Sequence, residues 1–246
     1  MSGKLKNIVG NEYITTEGFK LKVIEYNGWY NSTVLLEDGN ILYNINLGNL
    51  QKGTVKNPFL KTAYGVGYFG QGKFNGAKET IKYYTCWKAM LQRCYDLKYQ
   101  EKQPTYKGCT VDERWHNFQV FAEWYENNYK EGFALDKDFL VKGNKVYSPE
   151  MCRFLPREIN GILSKKDKVS NLPTGIKIRK NGKFQAVISI DKIRCSLGTF
   201  FTIEEAFQAY KTAKEKRIKE LADKWKDQIH NDIYQALYNY QVEITD

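Results

Sequence analysis

The spacing of apolar residues along this chain changes from two to near 3.6 and back again, and that change constrains the fold more than any other feature. Between residues 8 and 60 the runs FKLKVIEY, STVLLEDG and ILYNINLG alternate apolar and polar positions, divided by Asn27-Gly28 and Asp38-Gly39. Alternation puts one set of side chains on one face of a strand. Asn-Gly and Asp-Gly enter positive φ at least cost, so hairpins are expected between the runs. Residues 1–62 thus read as a small β-barrel-like domain or an open meander of about fifty residues.

The stretch AYGVGYFGQGKFNG within residues 63–78 is glycine-rich with interleaved aromatics and reads as a linker or extended arm. Its glycines do not sit between a strand and a helix, so no nucleotide cradle is expected there. From residue 79 the spacing is helical. Tyr83, Trp87, Met90, Leu91 and Cys94 share one helix face, and a second helix is expected from Asp112 as N-cap through Trp115, Phe118, Phe121, Ala122 and Tyr125. These aromatic stripes read as core. The segment LDKDFLVKGNKVYSPEMCRFLPREIN at 135–160 then reads as strand, long loop, strand and helix. A basic connector at 165–171 leads to a last module at 172–224, and Trp225, Ile229, Ile233, Leu237 and Tyr240 continue an amphipathic helix over 225–246. The expected class is α+β and multi-domain.

Charge narrows the partners. Lys and Arg number 38 against 28 Asp and Glu, a net charge of +10, which favours a polyanion. Between Lys165 and Arg194 nine basic residues stand against Asp167 and Asp191, leaving seven positive charges in about thirty residues. A solvated basic face is the plain alternative. Five cysteines with no Cys-x-x-Cys pair argue against a disulfide framework or zinc ribbon and for packing roles in a reducing compartment. The opening MSGKLKNIVG has no apolar core of signal-peptide length, and no run approaches the ~18 residues of a membrane span. A cytoplasmic chain with no membrane partner is expected.

In the last module, TGIKIRKNGKFQAVISIDKIRCSLGTF forms three alternating runs divided at Asn181-Gly182 and Asp191-Lys192. Ile176 and Ile178, then Phe184, Ala186, Ile188 and Ile190, then Ile193, Cys195 and Leu197 fall on one face. The other face presents Lys177, Arg179, Lys183, Gln185, Ser189, Arg194 and Ser196. Thr202-x-x-Glu205 is a capping box, and Ala206, Ala209, Tyr210 and Ala213 follow at helical spacing. A three-stranded sheet backed by a helix is expected, with its basic face free. Such a sheet enters the major groove, where Arg pairs with guanine and Gln with adenine while Lys holds phosphate. The candidate DNA-binding residues are Lys177, Arg179, Lys180, Lys183, Gln185 and Arg194, with Lys165 and Lys166 in the connector. A sheet-and-helix module that only contacts protein is the alternative. Gly175-Ile176, Phe184-Gln185-Ala186, Leu197-Gly198-Thr199-Phe200 and Glu204-Glu205-Ala206 with Ala209-Tyr210 resemble the Apetala-type (ethylene-response-factor) DNA-binding domain over about fifty residues.

Residues 79–164 carry a second resemblance. Trp87, Met90, Arg93-Cys94, Val111, Trp115, Phe118, Phe121, Leu135-Asp136-x-Asp138, Tyr147-Ser148-Pro149, Cys152-Arg153-Phe154 and Asn160, in that order, resemble phage HNH (His-Me finger) homing endonucleases. The resemblance implies a ββα unit holding one divalent cation, Mg²⁺ or Mn²⁺, beside a histidine that takes a proton from water. Where that pattern has Asp-His this chain has Asp136-Lys137, and the asparagine that would orient the histidine aligns with Met151. Only Asn160 is kept. A lysine of ordinary pKa near 10.4 is protonated at neutral pH and is no base.

Asp136, Lys137, Asp138 and Asn160 are therefore the candidate catalytic residues, and Asp136, Asp138 and Asn160 the candidate metal ligands. Two readings stay open. Those three gather Mg²⁺ with water as nucleophile in a slow nicking endonuclease, or Lys137 and Arg153 grip a phosphate without cutting it. The resemblances imply a phage-type protein bound to double-stranded DNA, in the host cytoplasm if phage-encoded. An inhibitor of a bacterial nucleic-acid-targeting defence system, bound to RNA or a ribonucleoprotein, is the other reading.

Overall fold

Period-two alternation becomes an antiparallel meander of strands β1 (Glu12–Ile14), β2 (Lys20–Tyr26), β3 (Ser32–Leu36) and β4 (Ile41–Ile45), paired in that order. This computed structural model describes residues 7–75, 80–163, 172–191 and 193–244. The protein is α+β and divides into two units, Met1–Asn127 and Asn128–Asp246. The expected boundaries at 79 and 164 do not coincide with that division.

In the first unit Gly39 takes φ 87°, and the Asp38 carboxylate accepts the Asn40 N–H at 3.0 Å, which is the Asp-Gly turn read from sequence. Helix α1 (Leu47–Lys52) follows, capped by the Asn46 side chain on the Gly48 N–H and closed by Gly53 at φ 64°. Leu21, Val23, Val34, Leu36 and Leu42 of the sheet bury against Leu47 and Leu50 of α1. The barrel expected over 1–62 is therefore corrected. Strands β1 and β4 remain the two edges and no barrel closes, because α1 takes up the apolar face that closure would otherwise bury.

Helices α2 (Ile81–Tyr95), α3 (Leu97–Lys102) and α4 (Phe118–Asn128), with the short strand β5 (Thr110–Val111), complete this unit. Trp87, Met90 and Leu91 of α2 are fully buried, as are Trp115, Phe118, Phe121 and Ala122. The Trp87 indole donates to the Trp115 carbonyl at 2.7 Å, and its ring lies 5.5 Å from that of Phe118. The single helix expected from Asp112 is in fact two pieces. Asp112 caps a 3₁₀ turn at Glu113–His116, and the Asn117 side chain accepts the Gln119 N–H at the start of α4. The cause is tertiary. Tyr68 donates to the His116 carbonyl and accepts from the Phe118 N–H, both at 2.9 Å, so groups that a continuous helix would use internally are taken.

Tyr68 belongs to the stretch read as a linker, and described residues 63–75 are built into this unit. Phe74 is buried, and its N–H and carbonyl both bond the Gln119 amide, at 3.0 and 2.8 Å. A Cβ on Gly67 would lie 2.4 Å from Leu91 Cδ1 and 2.8 Å from Trp87 Cζ2.

In the second unit strand β6 (Phe133–Asp136) pairs antiparallel with β8 (Arg153–Pro156), Asp136 opposite Arg153. Strand β7 (Val146–Tyr147) lies in the loop between them, and helix α5 (Arg157–Leu163) packs on both β6 and β8. Strands β9 (Ile176–Ile178), β10 (Phe184–Ile190) and β11 (Ile193–Phe200) form an antiparallel sheet in the order β11-β10-β9, packed on the long helix α6 (Ile203–Trp225). The Thr202–Glu205 capping box forms in full. The continuous helix expected through Tyr240 is broken after Trp225. Helix α7 (Asn231–Tyr238) packs on α6 in place of extending it, and Ile229, Ile233 and Leu237 are buried. Residues 165–171, with the candidates Lys165 and Lys166, lie outside the described residues, as do 76–79. Among the described residues no helix is long and apolar enough to cross a membrane.

Gly67→Ala tests the packing of the 63–75 stretch. The added methyl overfills the Trp87–Leu91 contact, so urea unfolding should show a loss of ~1–3 kcal/mol; a change within about 0.5 kcal/mol, as for a surface site, would mean that this stretch is not part of the core.

Candidate nucleic-acid interface

Register fixes the two faces of the C-terminal sheet. Gln185 of β10 stands opposite Lys177 of β9 and Thr199 of β11, while Ala186 stands opposite Ile176 and Gly198. Between Ala186 and Val187 the partner on β11 steps from Gly198 to Ser196, leaving Leu197 unpaired as a β-bulge. The bulge reverses the phase of the end of β11, placing Thr199 beside Gln185 and Phe200 on the face toward α6. Ala186 and Ile188 are buried there with Ala206 and Tyr210 of α6. At the strand ends Ile178 and Ile193 remain 61% and 68% exposed, an exception to the continuous apolar face read from sequence.

The opposite face carries the predicted basic set. Lys177, Arg179, Lys180 and Arg194 are exposed; Lys183 and Gln185 are half-buried. The β9–β10 turn is closed by the Arg179 N–H on the Lys183 carbonyl at 2.8 Å and the Gly182 N–H on the Arg179 carbonyl at 3.0 Å, with Gly182 at φ 76°. The Gln185 amide donates to Ser196 Oγ at 2.8 Å, a cross-strand bond that fixes its orientation. Lys183 Nζ lies 4.1 Å from the centroid of the Phe201 ring, which is itself 75% exposed. Phe201 was not singled out from sequence, because one exposed aromatic at a strand end has no periodicity to mark it.

The β6–α5 region gathers three of the four catalytic candidates at the end of β6. Asp136 Oδ1 accepts the backbone N–H groups of Asp138 and Phe139 at 2.9 and 2.8 Å. Burial, and then the charge of Asp138, push the Asp136 carboxyl up to about 6. The Lys137 ammonium lies 3.2 Å from Asp138 Oδ2 with its side chain only 11% exposed, and 5.9 Å from the Tyr147 ring. The Asn144 amide donates to the Lys137 carbonyl at 2.6 Å and holds the loop. Asn160 is half-buried on α5, and Met151 sits where its N–H bonds Ser148 Oγ. Arg153 is engaged within the chain, by Asp232 at 3.1 Å and by the carbonyls of Glu150 and Cys152.

This donor set does not suit a divalent cation. A lysine ammonium already neutralises Asp138, and the Asp136 carboxyl has both bonds of one oxygen committed to the backbone. Among the described residues no three His, Cys, Asp or Glu side chains gather as a group fit to hold a metal. Comparison of the chain with protein-family models, with curated proteins and with solved structures finds no match in any of the three.

The raised Asp136 pKa has a sign that can be measured. The folded state holds the proton up to about pH 6, the unfolded chain only to the ordinary 3.8. The native state therefore binds more protons between those values, and this group's contribution to stability falls as pH rises through that window. Asp136→Asn keeps the acceptor oxygen and removes the charge, so urea midpoints measured from pH 4 to 7 should decline less steeply in the variant. Parallel pH profiles would refute the assignment.

Proposed function

We propose that this chain is a phage-type DNA-binding protein related to HNH homing endonucleases, in which the β9–β11 sheet reads double-stranded DNA and the β6–β8–α5 unit no longer cuts it. The observation that carries the reading is the sheet's exposed face. Lys177, Gln185 and Arg194 come from all three strands to one side, with α6 packed on the other. A twisted sheet of this kind fits the major groove. Gln185 is oriented by Ser196 and can address a base edge with little side-chain entropy left to lose, while Arg179 stands exposed on the closed β9–β10 turn beside it. Lys177, Lys180 and Lys183 flank them and meet phosphate.

In the β6–β8–α5 unit the missing histidine removes the proton acceptor, and Lys137 puts a fixed positive charge beside Asp138. The residues that remain support binding better than hydrolysis. Lys137 and Arg153 each hold protein partners, which favours a role in shaping this unit over a direct grip on the backbone.

Arg179→Ala should weaken specific binding by ~1–3 kcal/mol and relax base preference at one position, whereas Lys177→Ala should lower the log-log salt slope by about one with a uniform loss across sequences. Fluorescence anisotropy on genomic fragments at several salt concentrations separates the two. Unchanged binding by the Arg179→Ala/Gln185→Ala double variant would end the DNA-reading assignment.

The wild-type chain should leave plasmid DNA intact with Mg²⁺ or Mn²⁺, and Lys137→His with Met151→Asn should move nicking upward, since a neutral imidazole has the pKa to accept water's proton. Robust nicking by the wild type that is lost in Asp138→Ala would make the chain a true nuclease.

A further inference from the structure

Phe201 stands where a helix entry commonly hides an apolar side chain. Thr202 is the N-cap of α6, so Phe201 precedes the cap and Ala206 is the fourth residue of the helix. An apolar residue before the cap often packs on that fourth position and fixes the angle at which the chain enters. Here Ala206 is buried while Phe201 is 75% exposed, so the ring lies mostly in solvent. Hydrogen bonds fix the entry instead. Glu205 Oε2 accepts the N–H groups of Phe201 and Thr202, each at 3.2 Å, and the Thr202 hydroxyl accepts the Glu205 N–H at 3.1 Å. An exposed ring is thus carried on a fixed stretch of backbone.

Its direction follows from the sheet. Phe184 and Phe200 are paired at the end of β10 and β11, and Lys183 and Phe201 are the next residues out on the two strands. Lys183 is two residues before Gln185 and Phe201 two after Thr199, the spacing that returns a side chain to the same face of extended backbone. Gln185 and Thr199 stand opposite each other on the face away from α6. Lys183 Nζ lies 4.1 Å from the Phe201 ring centroid, which places the two side chains together. The ring therefore stands at the end of the basic face with a cation steadying it.

The company of the ring limits what it can meet. Lys177 and Arg194 make the face one for a polyanion, and a phenyl ring gains nothing from a phosphate oxygen. It needs an apolar group on the same ligand. In the major groove a duplex offers the C5-methyl of thymine, and Phe is among the side chains that contact it. We propose that Phe201 is a specificity-determining residue that packs on the C5-methyl group of one thymine, with Lys183 holding the ring in position. This contact rests on the DNA-reading proposal above and adds an apolar base preference to the polar ones.

The test uses the full chain and a duplex that it selects from a random-sequence pool. Each thymine is replaced in turn by deoxyuridine, which pairs as thymine does and lacks the methyl, and binding is followed by anisotropy. At one position the replacement should weaken the wild type about fourfold, the worth of one methyl-sized apolar group, and at the others little. Phe201→Ala should bind the thymine duplex more weakly and become indifferent to deoxyuridine at that position, while Phe201→Leu, still apolar, should keep most of the difference. A wild type that binds the selected duplex and is indifferent to every replacement would overturn the methyl contact and leave the DNA reading standing; that series needs no variant to fold. Phe201→Ala weakened equally on thymine and deoxyuridine duplexes would do the same. No duplex enriched or bound by the wild type would overturn the DNA reading itself, and the contact with it.

Discussion

A single carboxylate organises the second unit. Glu158 of α5 accepts from Lys224 at 2.6 Å, from the Trp225 indole at 3.2 Å and from Arg217 at 3.3 Å, all three donors standing on α6. The Lys224 ammonium, with the indole and Arg217 behind it, holds the Glu158 carboxyl below the usual carboxylate range. Charge-assisted bonds converging on one partly buried acceptor are stronger than surface pairs taken singly. Arg217 also reaches Asp191 at 3.1 Å, in the turn between β10 and β11 where Asp191 takes φ 51°. One guanidinium thus ties α5, α6 and the tip of the β10–β11 hairpin together. The segment that resembles a nuclease core and the one that resembles a DNA reader share one helix and one set of ion pairs.

That arrangement bears on function. Helix α6 offers its small residues Ala206 and Ala222 and the Tyr210 ring to its packed side, which leaves the sheet's other face to solvent. The β10–β11 hairpin carries Arg194, and its tip is braced from below by Arg217. In the DNA-reading role proposed above, a face held this way would enter a groove with little rearrangement, which lowers the entropic cost of binding. At the end of β6 the logic is opposite. There the charged groups are turned inward on each other: Asp136 to backbone amides, Lys137 to Asp138, Arg153 to Asp232. Groups satisfied within the protein have little left for a metal or a scissile phosphate.

The C-terminal module was largely legible in the sequence. Its strands alternate at period two, Asn181-Gly182 marks a turn, and Thr202 with Glu205 caps a helix; each signal is local and each formed as expected. What stayed hidden depends on pairing between distant residues. The bulge at Leu197 is set by register against β10 and re-aims Thr199 and Phe200. The break at Asn117 follows from Tyr68 taking the backbone groups on either side of it. The barrel was an overreach from a sheet whose apolar face a short, unanticipated helix covers. The burial of Lys214 has no mark in the sequence, since one lysine within a mixed helix reads as a solvated residue. For the candidate nuclease site, sequence gave residue types, while the ion pair between Lys137 and Asp138 needed coordinates.

The central claim is that nucleic acid lies across the β9–β11 face. Amide and side-chain NMR of the full chain, titrated with a short duplex at low salt, tests it most directly. The account predicts chemical-shift changes concentrated at Lys177, Arg179, Gln185 and Arg194, with residues of β1–β4 unmoved. Shifts confined to the N-terminal sheet or to the end of β6, with the β9–β11 face silent at saturation, would contradict it.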